Sequence, residues 1–444
     1  MDGACLPLAN RKYLTRNLVV DDSTVRQMSN TSRDPSDIPG IEAAGIEPPR
    51  ENLAGFKNVV RLGYVSLFTD LSTEMILGLL PVFIHDQLGA SYAIVGLIEG
   101  SAEAMNDFCR ILTGVITDRI ARRKPLVLIG YALSSFAKPL FALTISWGQA
   151  FIVRVTDRAG KGTRTSPRDA LISDSVAKSQ AGKAFGVQSS LDQVGAVLGP
   201  LVAFLMFPLI GFRGVFWLSF SPAIVSLIIL LFFVTETVGL KKQTHFFQNA
   251  SAVLNRRFVY LLAALSIFSI GAYNFSFILL RASSLGIPDG QIPLVYVTIN
   301  ALSVVAAFPA GMLADKIGKI PVILLSYLAF LLTSVTGIIL VGSWSYGFII
   351  ASVFGIYLGI SDPVQRAIIP DFAKKELKGT AYAIYYLTAG VCALLANSIF
   401  GYLWTTATSS VAFQYALATS TAGAIALVLF FVADGRGLVG RVKG

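Results

Sequence analysis

The sequence predicts an all-α polytopic membrane protein with twelve transmembrane helices arranged as two six-helix bundles. Three observations lead there: the composition, the number of apolar segments and an internal repeat. Hydrophobic residues form 54% of the 444-residue chain and charged residues only 14%. Soluble domains carry about 25% charged residues, so this chain lacks the polar surface to coat a globule. Apolar segments separated by basic or turn-rich breaks fall near 59–84, 92–116, 125–145, 148–164, 183–207, 213–234, 257–280, 291–313, 320–341, 345–368, 380–404 and 411–432. Most reach the roughly 20 residues that cross a hydrocarbon core. A single offset of 197 positions pairs Gly114 with Gly311, Asp118 with Asp315, and Arg119 with Lys316. It also pairs Ser146 and Trp147 with Ser343 and Trp344, Phe151 with Phe348, Asp174 with Asp371, and Gly182 with Gly379. Two six-helix units in the same orientation are parallel repeats, which lets two bundles rock about a central site.

In chain order, residues 1–56 are polar, Pro-containing and aperiodic, and read as a disordered tail. The opening "MDGACLPLANRKYL" has no basic region followed by an apolar one, so no secretory signal is expected. Residues 57–236 are expected to form the N-terminal bundle, 237–256 a linker, 257–434 the C-terminal bundle and 435–444 a second tail. An even number of crossings puts both termini on one side. Basic residues choose the side. The even-numbered connections carry Arg119, Arg122, Arg123 and Lys124, then Arg168, Lys178 and Lys183, then Lys241, Lys242, Arg256 and Arg257. Lys316, Lys319, Lys374, Lys375 and Lys378 continue the series, while the odd-numbered connections offer little beyond Arg213 and Arg281. The linker and both tails are therefore expected in the cytoplasm, and the chain in the plasma (inner) membrane.

Several function classes fall away. A net charge of +10 invites a nucleic-acid reading. In a membrane chain, basic residues gathered in cytoplasmic loops account for it better. The cysteines Cys5, Cys109 and Cys392, with His85 and His245, have no metal or disulfide spacing, so neither a metal nor a cofactor is expected. The fragment "GKGT" at Gly160–Thr163 fails as a phosphate loop. Such a loop needs Ser or Thr directly after Lys161, where Gly162 stands, and no glycine lies five positions before Gly160. With no Ser–His pairing either, the protein is not expected to be an enzyme.

Two loops and one helix carry motifs. "GVITDRIARRK" (Gly114–Lys124) joins the second and third helices, and "GMLADKIGKI" (Gly311–Ile320) takes the matching place in the second half. In the fifth helix, "GVQSSLDQVGAVLGPLVA" spaces Gly186, Gly195, Gly199 and Pro200. Both loops resemble the signature loop of the major facilitator superfamily, G-x-x-x-D-R/K-x-G-x-R/K. The fifth-helix pattern is similar to one in its antiporter branches. The resemblance spans nearly everything after residue 57 and implies a transporter. It also implies that Gly114, Asp118, Arg119, Arg122, Arg123, Gly311, Asp315 and Lys316 form cytoplasmic latches that stabilise one conformation. Ala121 departs from the glycine usual in the first loop. The physics of these loops leaves two readings open. An Asp near a helix N-terminus meets partial positive charge, and the bases pair with acids or headgroups, or they only set topology. More narrowly, "FTDLSTEMILGLLPVF" and "DRAGKGTRTSPRDALISD" resemble a prokaryotic subgroup assigned as transporters without a substrate.

Charges inside spans are costly unless paired or wetted. The first helix carries Asp70 and Glu74, four apart and so on one face. The second carries Glu99, Glu103 and Asp107 at steps of four, then Arg110. The fourth carries Arg154, Asp157, Arg158 and Lys161 on one face, the fifth Asp192 and Gln193, and the third Lys138. At 1.5 Å per residue, Asp70 lies roughly 16 Å from the cytoplasmic end of its helix, and Glu103 and Arg158 about 15–17 Å from external ends. Acids of the first two helices can thus face cations of the fourth near the midplane. The chain is read as leaving the membrane from Arg164 onward, with Pro167 marking the break.

This stripe has two readings. It is a neutralised network holding helices together, or one of its acids titrates and couples transport to protons. Asp70 and Glu74 are the foremost proton-coupling candidates, because the first helix of each half lines the family's central cavity; Asp362 is a third. The second half offers Asn274, Asn300, Tyr382 and Tyr385 as cavity candidates. A charged half facing an aromatic half suits an amphipathic or cationic solute. The expected function is secondary transport of a small organic solute by alternating access, as a proton-coupled exporter. A proton-coupled importer of a nutrient or organic anion is the alternative, and a non-transporting sensor a remote one. A monomer in the lipid bilayer is expected.

Overall fold

A computed structural model of the chain describes residues 53–120, 122–237, 253–374 and 377–435. Nearly all of the expected tails and most of the expected linker lie outside the described residues, as do Ala121 and the side chains of Asp118, Arg119 and Lys178. The described chain is helical. We label α1 as Leu53–Leu77, continued by Leu80–Val82 and a wider turn at Phe83–Gln87. Then follow α2 (Tyr92–Arg119), α3 (Lys124–Leu140) and α4 (Trp147–Ser175). The helical stretch Ala181–Leu218 turns back at Gly211, with φ 62° and ψ −170°. A side chain would be strained at that positive φ, and glycine is not. We call the part before it α5, and the part after it, with Phe220–Phe232, α6.

In the second half, α7 is Arg256–Gly271 and, after a break, Phe275–Ser284. It is followed by α8 (Ile292–Ile317), α9 (Lys319–Ile339), α10 (Ser345–Ile368), α11 (Lys378–Thr406) and α12 (Ser409–Gly435). Side-chain caps fix several starts: Ser91 accepts from the Ile94 N–H, Ser146 from Gln149 and Asn255 from Phe258. Each satisfies an N–H that the helix leaves free.

Among the described residues, nine stretches are long and apolar enough to cross a membrane. One of them, Ala181–Phe232, is the pair α5 and α6. Missing from the nine are α2 and α4, which at 28 and 29 residues are as long but carry the charges. Twelve crossings return the chain to the face where α1 starts, called here the terminal face; the opposite side is the far face. Large apolar side chains such as Leu209, Phe232 and Phe308 are exposed, as lipid-facing positions must be.

Packing repeats with a period of six helices. In the first half α1 packs on α5 and α6, α2 on α4, and α3 on α4; in the second α7 packs on α11 and α12, α8 on α10, and α9 on α10. The seams between halves are α2 against α11 and α5 against α8, which the same period interchanges. The chain is all-α and polytopic, two six-helix bundles with a shared seam.

One boundary differs from the sequence expectation in a way that matters. Helix α4 does not end at Arg164 but runs through Pro167 to Ser175. Packing on both sides holds it: Arg164, Pro167, Leu171 and Ile172 are buried, and Ser166 Oγ donates to the Arg110 carbonyl of α2. A proline inside a membrane helix is tolerated where neighbours supply such support.

Candidate functional site

The stretch "RAGKGT" in α4 is a wedge between two neighbours. A Cβ on Gly160 would lie 2.7 Å from the Ser134 nitrogen and 2.8 Å from the Gly130 oxygen of α3. One on Gly162 would collide with the Asn106 carbonyl of α2. The two glycines let α4 sink between α2 and α3, and Lys161 between them is aimed elsewhere. It lies in the field of Asp70 and Glu74 from α1, Glu103 from α2 and Arg158.

Around this wedge the charges pair in tiers. Deepest is Arg154, with 0% of its side chain exposed, whose Nη2 lies 2.7 Å from Oε2 of Glu99, itself 1% exposed. Arg154 Nη1 also lies 3.7 Å from Asp157, which accepts from Ser134 Oγ at 2.6 Å. Arg158 comes within 3.8 Å of Glu103. Arg164 reaches Asp70 at 3.9 Å, with its guanidinium 4.5 Å from the Tyr131 ring centre. Arg168 meets Asp169 at 3.1 Å and Asp192 of α5 at 3.7 Å. Lys138 Nζ donates to the Thr69 carbonyl at 3.3 Å. Arg164 and Arg168, expected in a loop, therefore belong to the interior. They extend the face set by Arg154, Arg158 and Lys161.

Helix α1 is held against α5 at both candidate acids by the spaced glycines. A Cβ on Gly195 would lie 2.7 Å from the Leu67 oxygen and 3.1 Å from Asp70 Cβ. On Gly199 it would lie 2.7 Å from Glu74 Cβ. Pro200 is buried beside them, whereas a Cβ on Gly186 would meet nothing within 4 Å. Asp70 and Glu74 part company in their partners. Asp70 pairs within its own half; Glu74 Oε2 accepts from the Tyr296 hydroxyl of α8 at 2.6 Å. One turn on, Asn300 Nδ2 donates to the Ala196 carbonyl of α5 at 2.8 Å. Tyr296 escaped the sequence reading because its role depends on a helix 222 positions away. The only local signal was a buried phenol four residues before Asn300, and a buried phenol needs a partner.

In the second half, Asp362 pairs with Arg366 one turn away at 2.8 Å, with 65% and 51% of their side chains exposed. Asn274 caps the second segment of α7 by accepting from the Ser276 N–H, and its own N–H donates to Asn397. Tyr382 Oη donates to the Arg366 carbonyl at 3.0 Å, and Tyr385 Oη to Gln365 at 3.2 Å. The Arg110 guanidinium of α2 lies 4.1 Å from the Tyr386 ring centre, crossing the seam. Asp107, one turn before it, is placed against Gly390 of α11. The interior of this half is aromatic: Phe268 stacks on Tyr327, and Tyr273 on Phe354.

The signature loops close within each half. Arg123 Nε lies 2.7 Å from Asp174 at the end of α4, and its backbone N–H donates to Glu236 after α6. Six helices on, Lys319 Nζ lies 2.6 Å from Asp371 after α10. Asp174 and Asp371 are related by the repeat and perform the same task. Arg122, Asp315 and Lys316 are exposed; a Cβ on Gly311 would meet nothing within 4 Å, and one on Gly114 only Ser166, at 3.5 Å.

Toward the far face the halves interlock. Ala93 N–H donates to Thr405 Oγ1 at 2.8 Å, and a Cβ on Gly96 or Gly401 would collide with the Asn397 or Tyr92 carbonyl. His85, Tyr92 and Trp404 stack with ring centres 4.3 and 4.5 Å apart, carrying the contact across the seam.

Relatives agree with this architecture. A profile of the Major Facilitator Superfamily matches twice, over residues 62–280 and 259–441, one match for each half. An uncharacterized MFS-type transporter of Methanocaldococcus jannaschii is 31% identical over 78% of this chain and 88% of its own length. An uncharacterized protein of Mycobacterium tuberculosis is 24% identical over 82% of this chain and 90% of its own. Among solved structures, a variant of nucleoside transporter NupG superposes with a TM-score of 0.71 at 11% identity, covering 84% of this chain and 100% of that one. A peptide transporter POT in complex with sulfate gives 0.70 at 13%, covering 87% and 95%. At such identities these two structures speak for the fold alone. With two profile matches falling on the two halves of a twelve-helix bundle, the chain belongs to the Major Facilitator Superfamily and is a multi-pass membrane transporter.

Proposed function

We propose that the protein is a proton-coupled secondary transporter that exports a small organic solute by alternating access. Both termini lie in the cytoplasm, the terminal face is the cytoplasmic one, and the chain sits in the plasma (inner) membrane. The observation that carries the coupling is the partner of Glu74. An acid whose hydrogen-bond donor sits in the opposite half loses that donor when the halves rock apart. Its affinity for a proton must then differ between the two states, and that difference is what coupling requires. Asp70 keeps its partner Arg164 within one half and tunes Glu74 by charge. Asp362 has its own counter-ion at Arg366, which favours Glu74 over it. Contacts between halves toward the far face, with Asp362 and Arg366 exposed, fit a state open to the cytoplasm. The two "FTDLSTEM" and "DRAGKGTRTSPRDALI" segments, which resemble the prokaryotic subgroup, supply much of this network.

Flux of a transported solute into inverted and right-side-out proteoliposomes under an imposed pH gradient tests the proposal. Export by antiport predicts accumulation in inverted vesicles with an acidic lumen, and Glu74→Gln abolishes gradient-driven flux while sparing exchange. Accumulation in right-side-out vesicles with an acidic exterior would instead establish the importer, which Lys161, without an ion pair among the described residues, favours. Ligand binding without movement of any solute would leave the sensor.

A further inference from the structure

We propose that the transported solute carries both an anionic and a cationic group, the first held by Lys161 and the second by Asp107. This deepens the transporter reading and rests on it. The inference comes from asking which interior charges have no counter-ion. Arg154, Arg158, Arg164 and Arg168 each reach a carboxylate within ion-pair distance, and Lys138 donates to a carbonyl. Among the described residues, Lys161 Nζ has neither an ion pair nor a hydrogen bond. The acids whose field it feels are already engaged: Asp70 with Arg164, Glu74 with Tyr296, Glu103 with Arg158. Half-buried near mid-membrane and steered inward by the glycines on either side, it is a free ammonium. Such a charge is expensive to keep unless something binds it.

The acids give a matching answer. Asp107 has no cation at ion-pair distance among the described residues, and its one hydrogen bond is a long one, 3.4 Å from Asn106 Nδ2. It lies on α2 against Gly390 of α11, on the seam between the halves. Lys161 and Asp107 occupy neighbouring levels of adjoining helices, since Gly162 packs on Asn106. They nonetheless remain apart. Among the described residues, the second half brings no free charge to Asp107: Arg366 and Asp362, whose fields reach it, are paired with each other. It contributes ring faces instead, Tyr386 among them, with Arg110 lying over it. A solute with one group of each sign would give Lys161 and Asp107 each a partner and add no net charge, while Arg110 keeps its place over the Tyr386 ring. A purely anionic solute would leave Asp107 unpaired, and a purely cationic one Lys161.

The purified full-length protein can be challenged with unbranched ω-amino acids from glycine to 6-aminohexanoate, beside the matching carboxylic acids and amines. Thermal unfolding followed by tryptophan fluorescence reads binding. At least one amino acid of the series should raise Tm more than its matched acid and amine together. Lys161→Met should reduce it to the level of the amine and Asp107→Asn to that of the acid, each lowering apparent affinity about tenfold or more. Lys161→Arg should retain the response, and gel-filtration profiles check that the variants fold. Equal or greater response to a singly charged probe, no response anywhere in the series, or unchanged response in both variants overturns the proposal. Those results leave the transporter reading standing if any solute moves in proteoliposomes. The transporter reading itself fails only if none does.

Discussion

At the scale of single residues, the decisive quantity is whether a charge has a partner and which half supplies it. Arg154 is the most demanding: fully buried, it faces Glu99 and Asp157 together. Arg154→Met leaves Glu99 without its ion-pair partner and takes from Asp157 one of the cations around it, a loss of about 3–5 kcal/mol for a broken buried pair. Thermal unfolding in detergent should register a large drop in Tm, and adding Glu99→Gln should recover part of it. Arg158 lies one turn further along the same face of α4. Its partner Glu103 is 30% exposed, however, so Arg158→Met should be the milder change. Wild-type stability in Arg154→Met would refute the buried network. The residues of this network were legible as a set, because helical spacing puts Arg154, Arg158 and Lys161 on one face. Their pairings were not, since spacing within one helix says nothing about register against another. Tyr296 is the clearest case: it gains meaning only from Glu74 across the seam.

Among the helices, small residues decide how closely charged faces approach. Gly195 and Gly199 bring α5 against α1 at Asp70 and Glu74, so Gly199→Ala forces a Cβ into contact with Glu74 and Leu71. Overpacking of this kind costs about 1–3 kcal/mol, and it moves the very carboxyl proposed to couple transport. Unfolding scans should find Gly199→Ala clearly less stable and Gly186→Ala unchanged, because a Cβ on Gly186 meets open space. Equal effects at both positions would mean that the spacing has no role in packing α1 on α5. The length of α4 shows where local rules mislead. Pro167 and a run of charges suggest an exit from the membrane, but burial of Arg164 and the Ser166 contact with α2 carry the helix to Ser175. Tertiary packing outweighs the proline.

For the whole molecule, the repeat and the composition make the fold readable from the sequence. The repeat reappears as geometry: Asp174 and Asp371, 197 positions apart, each take a base from the matching loop, Arg123 in one half and Lys319 in the other. The relation between the halves was not readable, because a seam is a property of one conformation. In this one the far face is joined by Ala93–Thr405 and by the stack of His85, Tyr92 and Trp404. A reversible bifunctional thiol cross-link between Ala93→Cys and Thr405→Cys, with Cys5, Cys109 and Cys392 replaced by serine, should hold that face closed and stop transport until it is reduced. Undiminished flux through the cross-linked protein would show that the far seam need not open.

If Glu74 couples transport to protons, the two halves rock against each other as its carboxyl gains and loses a proton. Paired spin labels measure this most directly, one pair at Ala93 and Thr405 across the far face and another at Gly182 and Lys316 across the terminal face. Distances would be recorded between about pH 5 and about pH 8. The two distances should change in opposite senses, one shortening as the other lengthens, and Glu74→Gln should hold both constant. Distances that change together, or that respond to pH equally well in Glu74→Gln, would contradict that coupling.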